Sequence, residues 1–270
     1  MNSLDAIIYG VIQGLSEFLP VSSSGHLALL PKIIQVEDPG VIFDLMMHFG
    51  TALAVMTYFR KEIFTYSKTL RPSLINFSHG SPSQWFSRNF IFSTLVSIVL
   101  IVLLIPISKL ARDPNIIIFN LLFFGGLLWF ADSQNLKRSQ HLESPMEQGM
   151  QWKLAALIGA SQALAIFPGV SRSGITLSIA LLFGMKRKEA GAFSFLMSLP
   201  IILAGILKEI PELLHASQEK MMVLFLGVAT SFVVGLLTIH FFMKLIGKIK
   251  LAYFAIYRWA LAIAMLILLN

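Results

Sequence analysis

Phe18-Leu19-Pro20-Val21-Ser22-Ser23-Ser24-Gly25 and Phe167-Pro168-Gly169-Val170-Ser171-Arg172-Ser173-Gly174 interrupt two otherwise apolar stretches, 4–30 and 154–183. Proline removes a backbone donor, glycine admits non-helical dihedrals, and serine bonds to nearby backbone. Each stretch therefore predicts a helix, a broken tip and a second helix. Broken backbone at membrane depth persists only when buried in protein or lining a polar cavity. Two re-entrant hairpins are the expected form, rather than two kinked spans.

The flanking sequence supplies the membrane. Of 270 residues, 56% are hydrophobic and 13% charged, with a mean hydropathy of +0.76; a soluble domain carries about 25% charged residues. Blocks near 41–59, 90–108, 115–131, 190–208, 221–243 and 252–269 are long enough to cross about 30 Å of hydrocarbon as helices. The chain has no cysteine, which excludes disulfides, a thiol nucleophile and cysteine metal sites. The net charge of +7 resides in short loops, so it predicts membrane topology and no nucleic-acid partner. The N-terminus lacks a basic run and carries Asp5, so no cleavable signal peptide is expected.

With loop 60–89 and loops 132–153, 184–191 and 244–251 placed inside, 14 Lys and Arg lie inside and 5 outside; Arg172 and Arg258 remain in the membrane. That asymmetry obeys the positive-inside rule and puts both termini outside. Shifting residues 10–25 by 149 gives eight identities in sixteen without a gap, including Gln13 with Gln162, Ser22 with Ser171 and Ser24 with Ser173. Copies entering from opposite faces form an inverted repeat, which places polar sites near the midplane. The expected fold is an all-α integral membrane protein, one domain over 1–270. It has six transmembrane helices plus two re-entrant helical hairpins in an inverted-topology repeat, about 4–131 and 154–269.

Gln13 and Glu17 lie one turn apart, and an ionised side chain in a membrane marks a functional site. Two oxygens there suit Mg²⁺ or Ca²⁺, with substrate phosphate and water completing the shell. Ser22, Ser23, Ser24 and Gly25 lead into His26 and a helix, an arrangement of N–H groups and hydroxyls suited to an anion. His26 can act as acid, base or nucleophile. Ser171, Arg172, Ser173 and Thr176 occupy the matching place, where a guanidinium fork fits phosphate oxygens. Asp44 and His48, with Thr51, read equally as support for the site or as interfacial residues. Arg258 reads as snorkelling to the inner interface. His79, His141, His215 and His240 receive no role. Phosphoryl-group chemistry is the reading these groups favour. A transporter or lipid flippase is the rival class, since inverted repeats with broken helices are its usual architecture; the Glu17 and His26 pair is what a carrier does not need.

The run Gln13 to His26 resembles the first signature of the undecaprenyl-diphosphate phosphatase (bacitracin-resistance) family: Glu or Gln, three residues, Glu, then Pro-x-Ser-Ser-x-Gly-His. Pro168 to Thr176 resembles the second, Pro-Gly-x-Ser-Arg-Ser-x-x-Thr. The resemblance runs from about residue 4 to 269. It implies a bacterial inner-membrane enzyme, with its site facing the periplasm. Such an enzyme hydrolyses undecaprenyl diphosphate to undecaprenyl phosphate and inorganic phosphate. This recycles the lipid carrier for peptidoglycan synthesis and confers bacitracin resistance. It also implies dependence on a divalent cation held by Glu17 and Gln13. Glu17, His26, Ser23 and Arg172 are then catalytic, and Ser22, Ser24, Gly25, Ser171, Ser173 and Thr176 bind diphosphate. Nucleophilic attack by Ser23, by His26 or by water stays open. The expected partners are a polyprenyl diphosphate and membrane lipids, with a homodimer left open. Gln13 stands where the family often has Glu, and Ala192 where some members carry an acid.

Overall fold

A computed structural model describes residues 2–36, 39–75, 81–108, 113–138, 152–213 and 218–269. Among them every regular element is helical. The first hairpin is α1 (Ser3–Ser16) and α2 (Ser23–Ile34); the second is α7 (Trp152–Ala163) and α8 (Arg172–Leu182). Between and after them come α3 (Val41–Tyr58), α4 (Arg60–Ile75), α5 (Pro82–Ser108), α6 (Pro114–Arg138), α9 (Arg187–Leu213), α10 (Gln218–Leu245) and α11 (Ala252–Leu269). Helix α1 starts on a reciprocal cap: the Asn2 side chain accepts from the Asp5 N–H, and the Asp5 carboxylate accepts from the Asn2 N–H.

Five helices, α3, α5, α6, α9 and α10, are long and apolar enough to cross a membrane; α11 is apolar and slightly shorter over its described residues. Leu95, Val99, Val102 and Leu103 on α5 and Phe225, Val233 and Phe241 on α10 stay exposed, as a lipid-facing surface requires. This is a multi-pass, all-α membrane protein. The arms of the hairpins are shorter. At 1.5 Å per residue, α1 and α2 reach about 21 and 18 Å, short of the ~30 Å of hydrocarbon. Neither arm crosses alone.

Each hairpin packs its first arm on a long helix from the other half of the chain: α1 on α10, and α7 on α5. Glycine makes both approaches. A Cβ on Gly10 would stand 2.7 Å from the carbonyl oxygen of Gly227, and one on Gly159 would stand 2.2 Å from that of Ser93. These two glycines correspond under the shift of 149. Helix α3 packs between α10 and α9, and α6 between α11 and α8, so long helices wall both hairpin tips.

Two expectations need correction. The segment 60–89 is not simply a loop: it holds α4 and the start of α5. Arg258 does not snorkel; it is fully buried, and its place is described below. Lys109, Arg112, His79, His141 and His215 lie outside the described residues, as does most of loop 132–153.

Candidate active site

The two tips share an unusual backbone. Ser22 has φ 73° and Ser171 φ 69°, a region that L side chains rarely occupy. Each is the N-cap of the helix that follows: Ser22 Oγ accepts from the Gly25 N–H, and Ser171 Oγ from the Gly174 N–H. The capping bond and the turn into α2 and α8 hold the strained dihedral, of the kind that clusters at functional sites. The tips then interlock. The Gly169 N–H donates to Ser24 Oγ at 3.2 Å, and Ser173 Oγ donates to the Leu19 carbonyl at 3.2 Å.

Glu17 lies at the centre of this contact, 5% exposed at the end of α1. Arg172 Nη2 donates to its Oε1 at 2.5 Å. Its Oε2 accepts from Gln13 Nε2 at 2.9 Å and from Ser23 Oγ at 2.8 Å. His48 brings Nε2 to 3.4 Å from the same oxygen, while its Nδ1 is 2.7 Å from the Asp44 carbonyl. A carbonyl only accepts, so Nδ1 carries a proton. Arg172 Nη1 is buried with no hydrogen-bond partner. A cavity of about 300 Å³ opens here, lined by Glu17, Ser23, Ser24, His48, Arg172, Ser171, Ser173 and Gln162, with apolar walls from α5 and α9.

The cavity thus gathers Glu17, Ser23, Ser24, Arg172, Ser171 and Ser173 from the residues expected to act. It does not gather His26. That ring is stacked on Tyr257, with Nε2 2.7 Å from the Tyr257 hydroxyl and Nδ1 2.7 Å from the Ser22 carbonyl. His26 is not among the lining residues, nor are Gln13, Ser22, Gly25 and Thr176. Thr176 is held within the protein, its hydroxyl 2.6 Å from Ser194 Oγ and donating to the Arg172 carbonyl. Gly25 faces Leu121 and Leu261. His48, equally open between two readings in the sequence, faces the carboxylate. Gln162, visible only as the repeat partner of Gln13, lines the cavity and donates to Ser97 Oγ.

Arg258 explains how the second tip is held. Its guanidinium donates to the carbonyls of Gly169, Val170, Asn120 and Leu121, and Asn120 Nδ2 donates to the Pro168 carbonyl. The broken turn therefore has its free carbonyls satisfied by α11 and α6 inside the protein. At the other end of the hairpin, Arg187 pairs with Asp132, and Asn135 donates to the carbonyls of Leu181 and Met185.

A divalent cation was expected on Glu17 and Gln13. Among the described residues no three His, Cys, Asp or Glu side chains form a metal cluster. Gln13 Oε1 is buried without a hydrogen-bond partner. Gln13 Nε2 is the atom now on Glu17 Oε2; with the amide turned over, Oε1 would stand beside that oxygen, and the pair would fit a hard cation whose remaining ligands are phosphate and water.

The profile described as bacitracin resistance protein BacA matches residues 6–264. Undecaprenyl-diphosphatase 2 of Stutzerimonas stutzeri is 36% identical over 271 residues, covering 100% of this chain and 99% of that protein. The undecaprenyl-diphosphatases of Marinobacter nauticus and Alteromonas mediterranea are 37% and 38% identical, covering 97% and 98% of each chain respectively. Arg172, Glu17 and the serine tips thus stand within a sequence matched along nearly its whole length, and the chain belongs to the bacitracin resistance protein BacA family.

Proposed function

We propose that this protein hydrolyses undecaprenyl diphosphate to undecaprenyl phosphate and inorganic phosphate, returning the lipid carrier to peptidoglycan synthesis and so conferring bacitracin resistance. One observation carries the reading. Ser23 Oγ donates to Glu17 Oε2 inside a cavity where Arg172 Nη1 has no protein partner. This is a nucleophile beside a base and an unclaimed anion donor. The names of the relatives point to the same reaction.

In the proposed sequence the terminal phosphate enters the cavity and takes hydrogen bonds from Arg172 Nη1, Ser24 and Ser171, while Ser173 stays on the Leu19 carbonyl. Ser23 Oγ attacks phosphorus and passes its proton to Glu17 Oε2. The Oγ–P bond forms as the bridging P–O bond breaks, and the polyprenyl phosphate leaves. Water then attacks the phosphoserine, and the serine oxygen recovers a proton from Glu17. A Mg²⁺ or Ca²⁺ ion bound by Gln13 Oε1, Glu17 and the diphosphate would supply charge neutralisation. His26, bonded to the Ser22 carbonyl, steadies the first tip.

The purified full chain in detergent, given farnesyl or undecaprenyl diphosphate and Mg²⁺, is expected to release inorganic phosphate. Rapid quenching should trap an acid-stable phosphoserine that is absent from Ser23→Ala. An acid-labile adduct that survives in Ser23→Ala would move the nucleophile to His26. No adduct, with oxygen-18 from water entering phosphate in one turnover, would favour water. No phosphate at all would favour the carrier reading.

We further propose the inner membrane as location, with the site facing outside. The repeats 4–131 and 154–269 then enter from opposite faces; the equivalent glycine approaches and serine caps support that arrangement. Because the chain has no cysteine, single introduced cysteines carry no background. One at Lys61 should react only from the cytoplasmic side and one at Arg112 only from outside. Labelling of both from one face would overturn the topology.

A further inference from the structure

A second cavity lies apart from the serine tips, between α4, α5 and α9, with a volume of about 420 Å³. Its size falls within the usual range for small-molecule sites, about 300–1,000 Å³. Helix α4 lines it with Ile63, Tyr66, Ser67 and Leu70, the i, i+3, i+4, i+7 stripe of an amphipathic helix. The serine hydroxyls there are already used. Ser67 Oγ donates to the Phe64 carbonyl, and Ser87 Oγ to those of Ser83 and Tyr66. The aromatic faces of Tyr66 and Phe86 stack on each other with centroids 3.9 Å apart. The cavity therefore offers mainly hydrocarbon contact.

The adjacent face of the same helix is cationic. Arg60, Lys61 and Lys68 are exposed, and Phe64 among them is 60% exposed. Lys68 Nζ lies 4.1 Å from the Phe64 ring centroid, and Arg60 Nη1 caps the Thr57 carbonyl. The helix carries four bases, Arg71 included, against the single acid Glu62. Basic side chains around an exposed aromatic ring mark a helix lying in the interface of an anionic leaflet.

We propose that this is a binding site for an anionic phospholipid, its acyl chain in the α4–α5–α9 cavity and its phosphate on Lys61 and Lys68. Charge complementarity selects an anionic headgroup over a zwitterionic one. On α5 the two linings are ten residues apart, Ile91 against Ile101, about 15 Å along the helix; on α9 they share the same turns on different faces, Leu199, Pro200 and Leu203 against Ile201, Ile202 and Gly205. Arg60, Lys61 and Lys68 lie on the face of α4 next to the stripe that lines the apolar cavity, and none of them lines the catalytic one. The site does not depend on the proposed phosphatase reaction, since its test reads lipid retention.

The detergent-solubilised full chain is titrated with phosphatidylglycerol and with phosphatidylcholine of the same acyl chains. Retained lipid is counted by native mass spectrometry. Phosphatidylglycerol should be retained at least about tenfold better. The double variant Lys61→Gln, Lys68→Gln should erase that preference, about fivefold per charge removed, and leave phosphatidylcholine retention unchanged. Leu199→Trp, which fills the cavity from α9, should reduce retention of both lipids about tenfold, and Leu203→Phe is a milder second filling. An unchanged thermal unfolding midpoint in detergent verifies that these variants fold. Equal retention of the two lipids overturns the proposal, as does a preference that survives the lysine changes or tight retention in both filled variants. Displacement of phosphatidylglycerol by farnesyl phosphate would instead assign the cavity to the substrate tail.

Discussion

Glu17→Gln, assayed at saturating Mg²⁺ so that weaker cation binding does not enter, is expected to lower kcat for phosphate release by about 10²–10⁴-fold, the span of general-base catalysis, while KM for the lipid changes little. The amide keeps the size of the carboxyl group and can still accept from Ser23 or Gln13. What it loses is the capacity to take the serine proton. Substrate binding persists because Arg172 Nη1, already unpaired in the protein, still meets the phosphate. Steady-state kinetics in detergent separate the two parameters. A variant within about tenfold of the parent kcat would remove Glu17 as the base and leave its ion pair with Arg172 purely structural.

The Arg172→Lys variant is expected to lose about 10²–10³-fold in kcat/KM, the usual cost of losing one preorganised donor at a charged transition state, although its charge is unchanged. The guanidinium divides its work: Nη2 holds Glu17 Oε1, and Nη1 is buried and unpaired on a residue that lines the cavity. One ammonium on a flexible stem cannot serve both oxygens in a fixed geometry. Near-normal turnover in Arg172→Lys would show that the fork is not the phosphate clamp. Loss of phosphate release with unimpaired binding of farnesyl diphosphate would place its role in the transition state alone.

Much of this architecture is legible in residue order because the bilayer is a severe solvent. Long apolar blocks at 90–108 and 221–243 have no alternative to spanning, and Pro20, Pro168 and the serines beside them have no alternative to a broken tip buried in protein. The tip residues also announce one another through the shift of 149, which survives in Ser22 and Ser171 as a shared backbone conformation. Helix α4 is harder to read. Its mean polarity resembles a loop, and only the spacing of Ile63, Tyr66, Ser67 and Leu70 betrays a buried stripe. Arg258 is misleading for a different reason. Its position one turn after a basic loop fits snorkelling, whereas the carbonyls that hold it come from segments over eighty residues away in sequence. The two histidines show the same limit. His26 sits inside the serine run and His48 in an ordinary-looking span, yet the ring nearer Glu17 is His48. Proximity in sequence to a motif does not determine which way an imidazole points.

The pairing of α1 with α10 also constrains how the chain is made. Gly10 and Gly14 are shaped for a wall that includes Gly227, Val234 and Gly235, and that wall leaves the ribosome roughly 200 residues after α1. At about 5–20 residues per second the delay is on the order of 10–40 s. Throughout it, a short arm carrying Glu17 and Gln13 waits in or beside the insertion machinery with its tightest packing surface uncovered. Assembly is thus closed from the C-terminal side: the last third of the chain completes the first hairpin. A nascent chain cut off before α10 would retain both serine tips and the bonds between them yet lack the wall on which α1 packs, leaving that arm exposed to membrane quality-control proteases.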